Sequence, residues 1–269
     1  MGIEALARAG RISAASAMVT TSLWADHGDR LAALRGTTAI GLHLNLTEGA
    51  PLGAMPRLAP SGRLPSLRSI LLASMTGRIE RAEVHAEAVR QIECFRRHCG
   101  FWPDYVDGHQ HVHALPGVGS ALISAIREVM PAQAMLVRNP ADRMAAILAR
   151  GRCTAKSLLI AGLTRGFAAQ AARAGLIVND GFSGVSDFAV GGVAEDFASL
   201  SRQSGRFHIA MCHPGCDETQ ADAPDALEAR RAAECAFLMS DTRLAERIWR
   251  VERQGDALVD WRAELGKVA

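Results

Sequence analysis

"YVDGHQHVHALP", Tyr105 to Pro116, sets Asp107, His109, His111 and His113 at two-residue intervals. On an extended chain all four side chains share one face, whereas on a helix only His109 and His113, one turn apart, would meet. The stretch grows out of "DYVD", a short strand. It runs past Pro116 into "VGSALISAIREVM", whose apolar residues recur at helical spacing. A strand, a histidine-bearing loop and a helix in that order form one unit of a parallel α/β fold. The loop then lies at the strand's C-terminal end, where such folds keep their chemistry.

Working outward, the same unit repeats. "RISAASAMVT" (11–20), "TAIGLHLNL" (38–46), "AMLVR" (134–138), "LIVND" (176–180), "FHIAMCH" (207–213) and "DALVDW" (256–261) read as strands. Between them, 67–77, 80–100, 118–130, 141–150, 154–174, 193–203 and 225–250 read as helical. The clearest is 80–100, with Val84, Ala88, Ile92, Phe95 and Cys99 on one stripe and Gly100 as its stop. No repeat or linker interrupts the order. The expectation is an α/β fold, one domain over 1–269, with a mainly parallel sheet rolled into a complete or distorted (β/α) barrel.

Composition narrows the function. Hydrophobic residues make up 49% and charged residues 22% of the 269, ordinary for a globular protein with a sizeable core. A net charge of +2 gives no broad basic surface for nucleic acid. No apolar run approaches the roughly 20 residues of a membrane span, and the opening "MGIEALARAGRIS" has no signal-peptide pattern, so a cytoplasmic protein is expected. The six cysteines are scattered and read as free thiols of a reducing compartment. "CHPGC" invites a zinc or redox reading, but one of its cysteines sits mid-strand, and both are taken as ordinary thiols.

The polar residues fall where a barrel holds its site. In "AIGLHLNL", Ile40, Leu42, Leu44 and Leu46 take one face and Gly41, His43, Asn45 and Thr47 the other. A lone His43 would read as a hydrogen-bonded core histidine, yet a whole polar face needs a partner for every group. Three strands thus deliver His43, His109 with its neighbours, and His213 toward one rim. Neutral imidazole is the commonest metal ligand, and a catalytic ion takes about three protein ligands. "NDGFSG" (179–184) is turn chemistry that could also touch substrate.

"GLHLNLTEGAPL", "DGHQHVHALP" and "CHPG", in this order and at these separations, resemble the YdjC-like carbohydrate deacetylases. The resemblance extends from "GIEALARAGRISAASAMV" to "RAAECAFLMSDTRL". It implies a distorted (β/α) barrel of the glycoside hydrolase/deacetylase type and one divalent metal, Mg2+ or Zn2+. The implied reaction is hydrolysis of an N-acetyl group from an amino sugar or chitooligosaccharide, releasing acetate. Carried over by position, His43 and His109 match the family's histidine metal ligands, and His213 matches its late active-site histidine. Asp107 and His111 match supporting positions. The family opens with a strand ending in Asp-Asp-Phe-Gly, which supplies a third ligand and a carboxylate base. Met1 here falls inside the helix that follows, so a barrel with its first strand missing, N-terminally truncated, is expected. Asp107 and Glu48 are the nearest carboxylates that could substitute.

The expected partner is a small N-acetylated sugar, with neither nucleic acid nor membrane. An open strand edge leaves room for a homodimer. In the expected chemistry the metal activates water and polarises the carbonyl. His213 stabilises the oxyanion or protonates the amine, and His111 or Asp107 orients a ligand. Two rivals stand beside it: a non-catalytic sugar-binding protein derived from such an enzyme, and a metal-dependent phosphoesterase. The second lacks a Gly-rich phosphate loop or an arginine cluster visible beside the histidines.

Overall fold

In the computed structural model, residues 2–130, 135–200, 202–215, 226–251, 253 and 259–267 are described. Six strands run parallel: β1 (Ala14–Ala17), β2 (Ala39–Leu44), β3 (Tyr105–Gly108), β4 (Leu136–Val137), β5 (Gly181–Ser183) and β6 (His208–Ala210). The first four form one sheet in sequence order and the last two pair separately, with a single bridge from Leu136 to Ile177 leading toward the second piece. Helices lie between the strands: α1 (Gly2–Arg8), α2 (Trp24–Ala32), α3 (Leu67–Met75), α4 (Arg81–Cys99) and α5 (Val118–Val129) in the first half. In the second half come α6 (Met144–Arg150), α7 (Thr154–Leu163), α8 (Phe167–Arg173), α9 (Val193–Leu200), α10 (Ala226–Ser240), α11 (Thr242–Ala245) and α12 (Trp261–Lys267). The result is the expected distorted (β/α) barrel. Among the described residues β1 has a strand partner on one side, β2.

The apolar stripe of α4 lands where its spacing puts it. Val84, Ala88, Ile92 and Phe95 are fully buried, and Gly100 ends the helix in the left-handed region at φ 78°. Ile40, Leu42, Leu44 and Leu46 on β2 are likewise fully buried in the same core. On the other face of β2, Gly41 lies under the Tyr105 ring, where an added Cβ would sit 2.5 Å from the ring carbons. Asn45 needs no ligand to be satisfied. Its amide donates to Thr20 Oγ1 and the Glu48 carbonyl and accepts from the backbone N–H of Thr47 and Glu48, closing a tight turn.

Several expectations change. "LIVND" contributes only the bridge at Ile177, and the paired strand falls later, at Gly181–Ser183. In "DALVDW", residues 256–258 lie outside the described residues, while Trp261 opens α12 instead of ending a strand. Its indole Nε1 donates to the Asp104 carbonyl at 2.8 Å, and its ring packs on Tyr105 and Phe207. Trp261 with Ala39, Tyr105, Leu136 and Ile177 forms a separate core cluster at the start of the strands, a plug at the N-terminal end of the barrel. The helix expected over 225–250 breaks after Ser240, where the Asp241 carboxylate caps α11 through Leu244 N–H. Helix α2 carries no sequence expectation. Its Gly28 admits the His98 ring, which a Cβ would meet at 2.3 Å.

Gln91 fastens α4 to the functional end of β2. Buried, it accepts from Asn45 N–H at 3.0 Å and donates to the Asn45 carbonyl at 2.8 Å and to Glu87 at 2.9 Å. Gln91→Leu keeps the volume but orphans the Asn45 backbone. It is expected to lower stability by about 1–3 kcal/mol, read from the urea midpoint. An unchanged midpoint would mean that the turn satisfies itself without the helix.

Candidate active site

The register of the sheet makes the site. His43 on β2 pairs with Asp107 on β3, and Val106 on β3 with Val137 on β4, so Arg138 follows next to Asp107. Asp107 accepts from His43 Nδ1 at 2.7 Å with one oxygen and pairs with Arg138 Nη1 at 2.7 Å with the other. Both Asp107 and Arg138 are at least 95% buried by residue exposure. Burial by itself would raise the Asp107 carboxyl, but Arg138 and His43 outweigh it and hold the group well below the usual carboxylate range. An ionised Asp107 can only accept, so His43 Nδ1 carries the proton and Nε2 is left with its lone pair.

His109 lies beside that lone pair's ring. The two imidazole centroids are 5.6 Å apart and nearly perpendicular. Two imidazoles on one tetrahedral ion with bonds of about 2.0–2.1 Å stand roughly 5 Å apart. Glu48, delivered by the Asn45 turn, places a carboxylate oxygen 3.3 Å from His109 Nε2. Burial and then His43 push the His109 pKa down, which favours the neutral, ligand-competent ring. Among the described residues no group of three or more His, Cys, Asp or Glu is gathered tightly enough to hold an ion on its own. His43 and His109 nonetheless bring two imidazoles together with the Glu48 carboxylate alongside, donor types that a divalent metal takes. Asp107 stands behind His43 in this arrangement, with one oxygen on His43 Nδ1 and the other on Arg138.

The even spacing of "DGHQHVH" does not survive past Gly108. The strand ends there, and His109–Ala114 forms a 3₁₀ turn in which Gln110 and His111 take left-handed φ of 52° and 61°. Left-handed backbone in two consecutive non-glycine residues is strained, of order 1–3 kcal/mol each, and such strain gathers at functional sites. It rotates His111 against the Phe182 ring, at 5.5 Å between centroids, with its Nδ1 3.5 Å from Arg138. It turns His113 fully into the core, where its Nε2 bonds the Arg138 carbonyl at 2.7 Å. Gly108 has to be glycine, since an added Cβ would meet the His113 ring at 2.7 Å. His113 is thus a structural histidine that anchors the end of β4.

His213 follows β6, half-buried, its pKa pushed down to about 4 by burial and then by Arg138 and His43. Its backbone N–H is held by Glu234 at 2.7 Å, its ring tilts against Phe188 at 5.5 Å, and its buried Nδ1 has no hydrogen-bond partner among the described residues. His43 and Asp107 lie near enough to act electrostatically on His109, His111 and His213 alike. A cleft of about 510 Å³, lined by Met18, Trp24, Leu31, Pro214 and Arg231 among others, adjoins Pro214; none of the site histidines lines it. Cys212 is a half-buried thiol whose pKa desolvation raises to about 12, in keeping with an inert role, and Cys216 lies outside the described residues.

Arg138, Phe188 and Glu234 are the site residues that sequence reasoning overlooked, while Phe182 lies in the "NDGFSG" stretch it had marked. Arg138 stands beside the histidines as a single arginine, not a cluster, and its guanidinium is already engaged by Asp107 and by the Gly108 carbonyl at 2.9 Å. Its signal was its place just past a strand end, the same place as the histidines.

Burial and then Arg138 depress the His113 pKa to about 3, below the ordinary value of about 6.5 that it regains on unfolding. The unfolded chain then takes up the proton first. Stability from the neutral ring is complete above pH ~6.5 and is lost as the pH falls toward 3. His113→Gln, which keeps a donor for the Arg138 carbonyl, should flatten the loss of stability between pH 7 and pH 4 in urea titrations. An unaltered pH dependence would show that His113 does not carry it.

Comparison with known proteins places this arrangement. The family model described as "YdjC-like protein" matches residues 1–246. A carbohydrate deacetylase of Homo sapiens is 34% identical over 131 residues, 47% of this chain and 40% of that protein. A chitooligosaccharide deacetylase of Klebsiella pneumoniae is 32% identical over 127 residues, 47% of this chain and 49% of that one. The matched stretch spans about half the length of these curated relatives, or less. Among solved structures, an Enterococcus faecalis protein provisionally assigned to cellobiose-phosphate cleavage superposes with a TM-score of 0.61 at 17% identity. It covers 93% of this chain and 90% of its own, a likeness of fold. With the model spanning nearly the whole chain, and the strand-end histidines in place, the chain belongs to the YdjC-like family.

Proposed function

We propose that this chain hydrolyses the N-acetyl group of an amino sugar or chitooligosaccharide, releasing acetate, at the rim built by His43, His109, Asp107 and Arg138. The observation that carries the reading is the Asp107–His43 bond of 2.7 Å beside the His109 ring. A carboxylate behind a histidine fixes its tautomer and aims the other nitrogen outward, the arrangement found behind histidine metal ligands. In this reading His43 and His109 hold one divalent cation, Mg2+ or Zn2+, which when bound supplies Lewis-acid activation of water and of the amide carbonyl.

The remaining work falls to the chain. Glu48, whose carboxylate stands against His109, is assigned to accept the proton of the attacking water and to return it to the leaving amine nitrogen as the C–N bond breaks. Asp107 suits that role poorly, because Arg138 and His43, against the effect of burial, hold its carboxyl well below the usual carboxylate range and so make it a weak base. His213 is held neutral by burial near pH 7, so it is assigned to donate a hydrogen bond to the developing oxyanion, not to act as a reservoir of protons. His111, pushed well below its usual pKa by burial and then Arg138, is likewise neutral and steadies Arg138 from the other side. The relatives named as deacetylases of carbohydrates and chitooligosaccharides support the substrate class.

The test pairs metal binding with turnover. Calorimetric titration should find one divalent cation per chain, lost in both His43→Ala and His109→Ala. Acetate release from N,N′-diacetylchitobiose should disappear with it. His213→Ala should retain the metal and lose about 10²–10³-fold in kcat. Metal binding that survives removal of either histidine would contradict the assignment. Turnover of p-nitrophenyl phosphate in place of acetate release would favour a phosphoesterase.

A further inference from the structure

Behind His213 lies a buried charge network that the proposed chemistry does not itself use. Arg230, 1% exposed, and Glu234, 2% exposed, sit one turn apart on α10 and pair through Arg230 Nε and Glu234 Oε1 at 2.8 Å. The other oxygen of Glu234 accepts the backbone N–H of His213 at 2.7 Å. Arg230 extends two further contacts, from Nη1 to the Ala189 carbonyl at 2.6 Å and from Nη2 to Asp196 at 2.8 Å. Asp196 in turn accepts from Arg152 at 2.6 Å. The Ala189 carbonyl follows Phe188, a residue with left-handed φ of 64° whose ring faces His213 at 5.5 Å.

One pair of side chains therefore grips both loops that frame the imidazole: Glu234 the loop that carries His213, Arg230 the loop that carries Phe188. Isolated charges are costly to bury, and apolar residues of similar volume would serve packing as well or better. What a salt bridge offers here is geometry, a fixed distance between two backbones that have no strand between them. We infer that Arg230 and Glu234 are positioning residues which set the His213 imidazole against Phe188 and hold it in place for the oxyanion. The inference rests on the role given to His213 under the proposed deacetylation.

Glu234→Gln keeps shape and one acceptor but removes the charge that grips Arg230. Its kcat for acetate release should fall by up to about 10²-fold, as expected for a group shifted by about 1 Å, with KM nearly unchanged. In a His213→Ala background the same substitution should cost nothing further, since the group it positions is gone. Independently of turnover, the ring ¹³C signals of His213 and Phe188 should move together in Glu234→Gln, while those of His43 and His109 stay. Equal losses of kcat in both backgrounds, or unmoved His213 and Phe188 signals, would overturn the positioning role. Arg230→Lys, which keeps the charge and loses the fork, should reproduce the Phe188 shift; if it does not, the grip on the Ala189 carbonyl is not what holds that ring. A wild-type chain without turnover would overturn the deacetylase reading alone, and the ring signals would then decide the positioning by themselves.

Discussion

Everything at the rim hangs on Asp107, a buried carboxylate clamped between the His43 imidazole and the Arg138 guanidinium. A single charge on that strand end settles three neighbours. It fixes the proton of His43 on Nδ1, it satisfies half of the Arg138 fork, and it draws β2 and β4 onto β3 at the point where their main-chain pairing ends. Removing Asp107 would leave a buried arginine cation without its counter-charge, which is far more costly than the loss of one surface ion pair.

The sheet register supplies the clamp, and the turns beyond it spread its effect. Because Arg138 is held, its carbonyl is available to His113, and His113 closes the 3₁₀ turn that lifts His109 beside His43. The same guanidinium, after burial, holds His111 and His213 below their ordinary pKa, and a neutral ring is what a hydrogen-bond donor to an oxyanion requires. At the opposite end of the barrel, Trp261 and Tyr105 plug the strand starts. The plug sits at the end from which barrels stabilise and the histidines at the end from which they act.

The parts legible in the sequence were those in which one residue type and one period carry the information. The apolar stripe of α4 and the alternation of β2 are buried as their spacing requires, and strand ends at His43 and before His109 and His213 point to one rim. Alternation failed where the chain left the sheet. Nothing in "HQH" marks Gln110 and His111 as left-handed, since glycine is the usual occupant of that region. His113, the last residue of the evenly spaced run, is a core group, because the turn reverses its face. Helix α2 escaped notice through its polar composition and the internal Gly28, whose purpose is visible only once His98 packs on it. Glu234 and Arg230 carry no motif at all. They matter through which backbones they reach, a tertiary fact.

The clamp makes a definite statement about one proton. In ¹⁵N-correlated spectra of the histidine-labelled, metal-free chain near pH 7, His43 should show a protonated Nδ1 and an unprotonated Nε2, with the two exchanged or averaged in Asp107→Asn. A neutral His43 protonated on Nε2 in the unsubstituted chain would mean that Asp107 does not set its tautomer, and the account of the rim would fail with it.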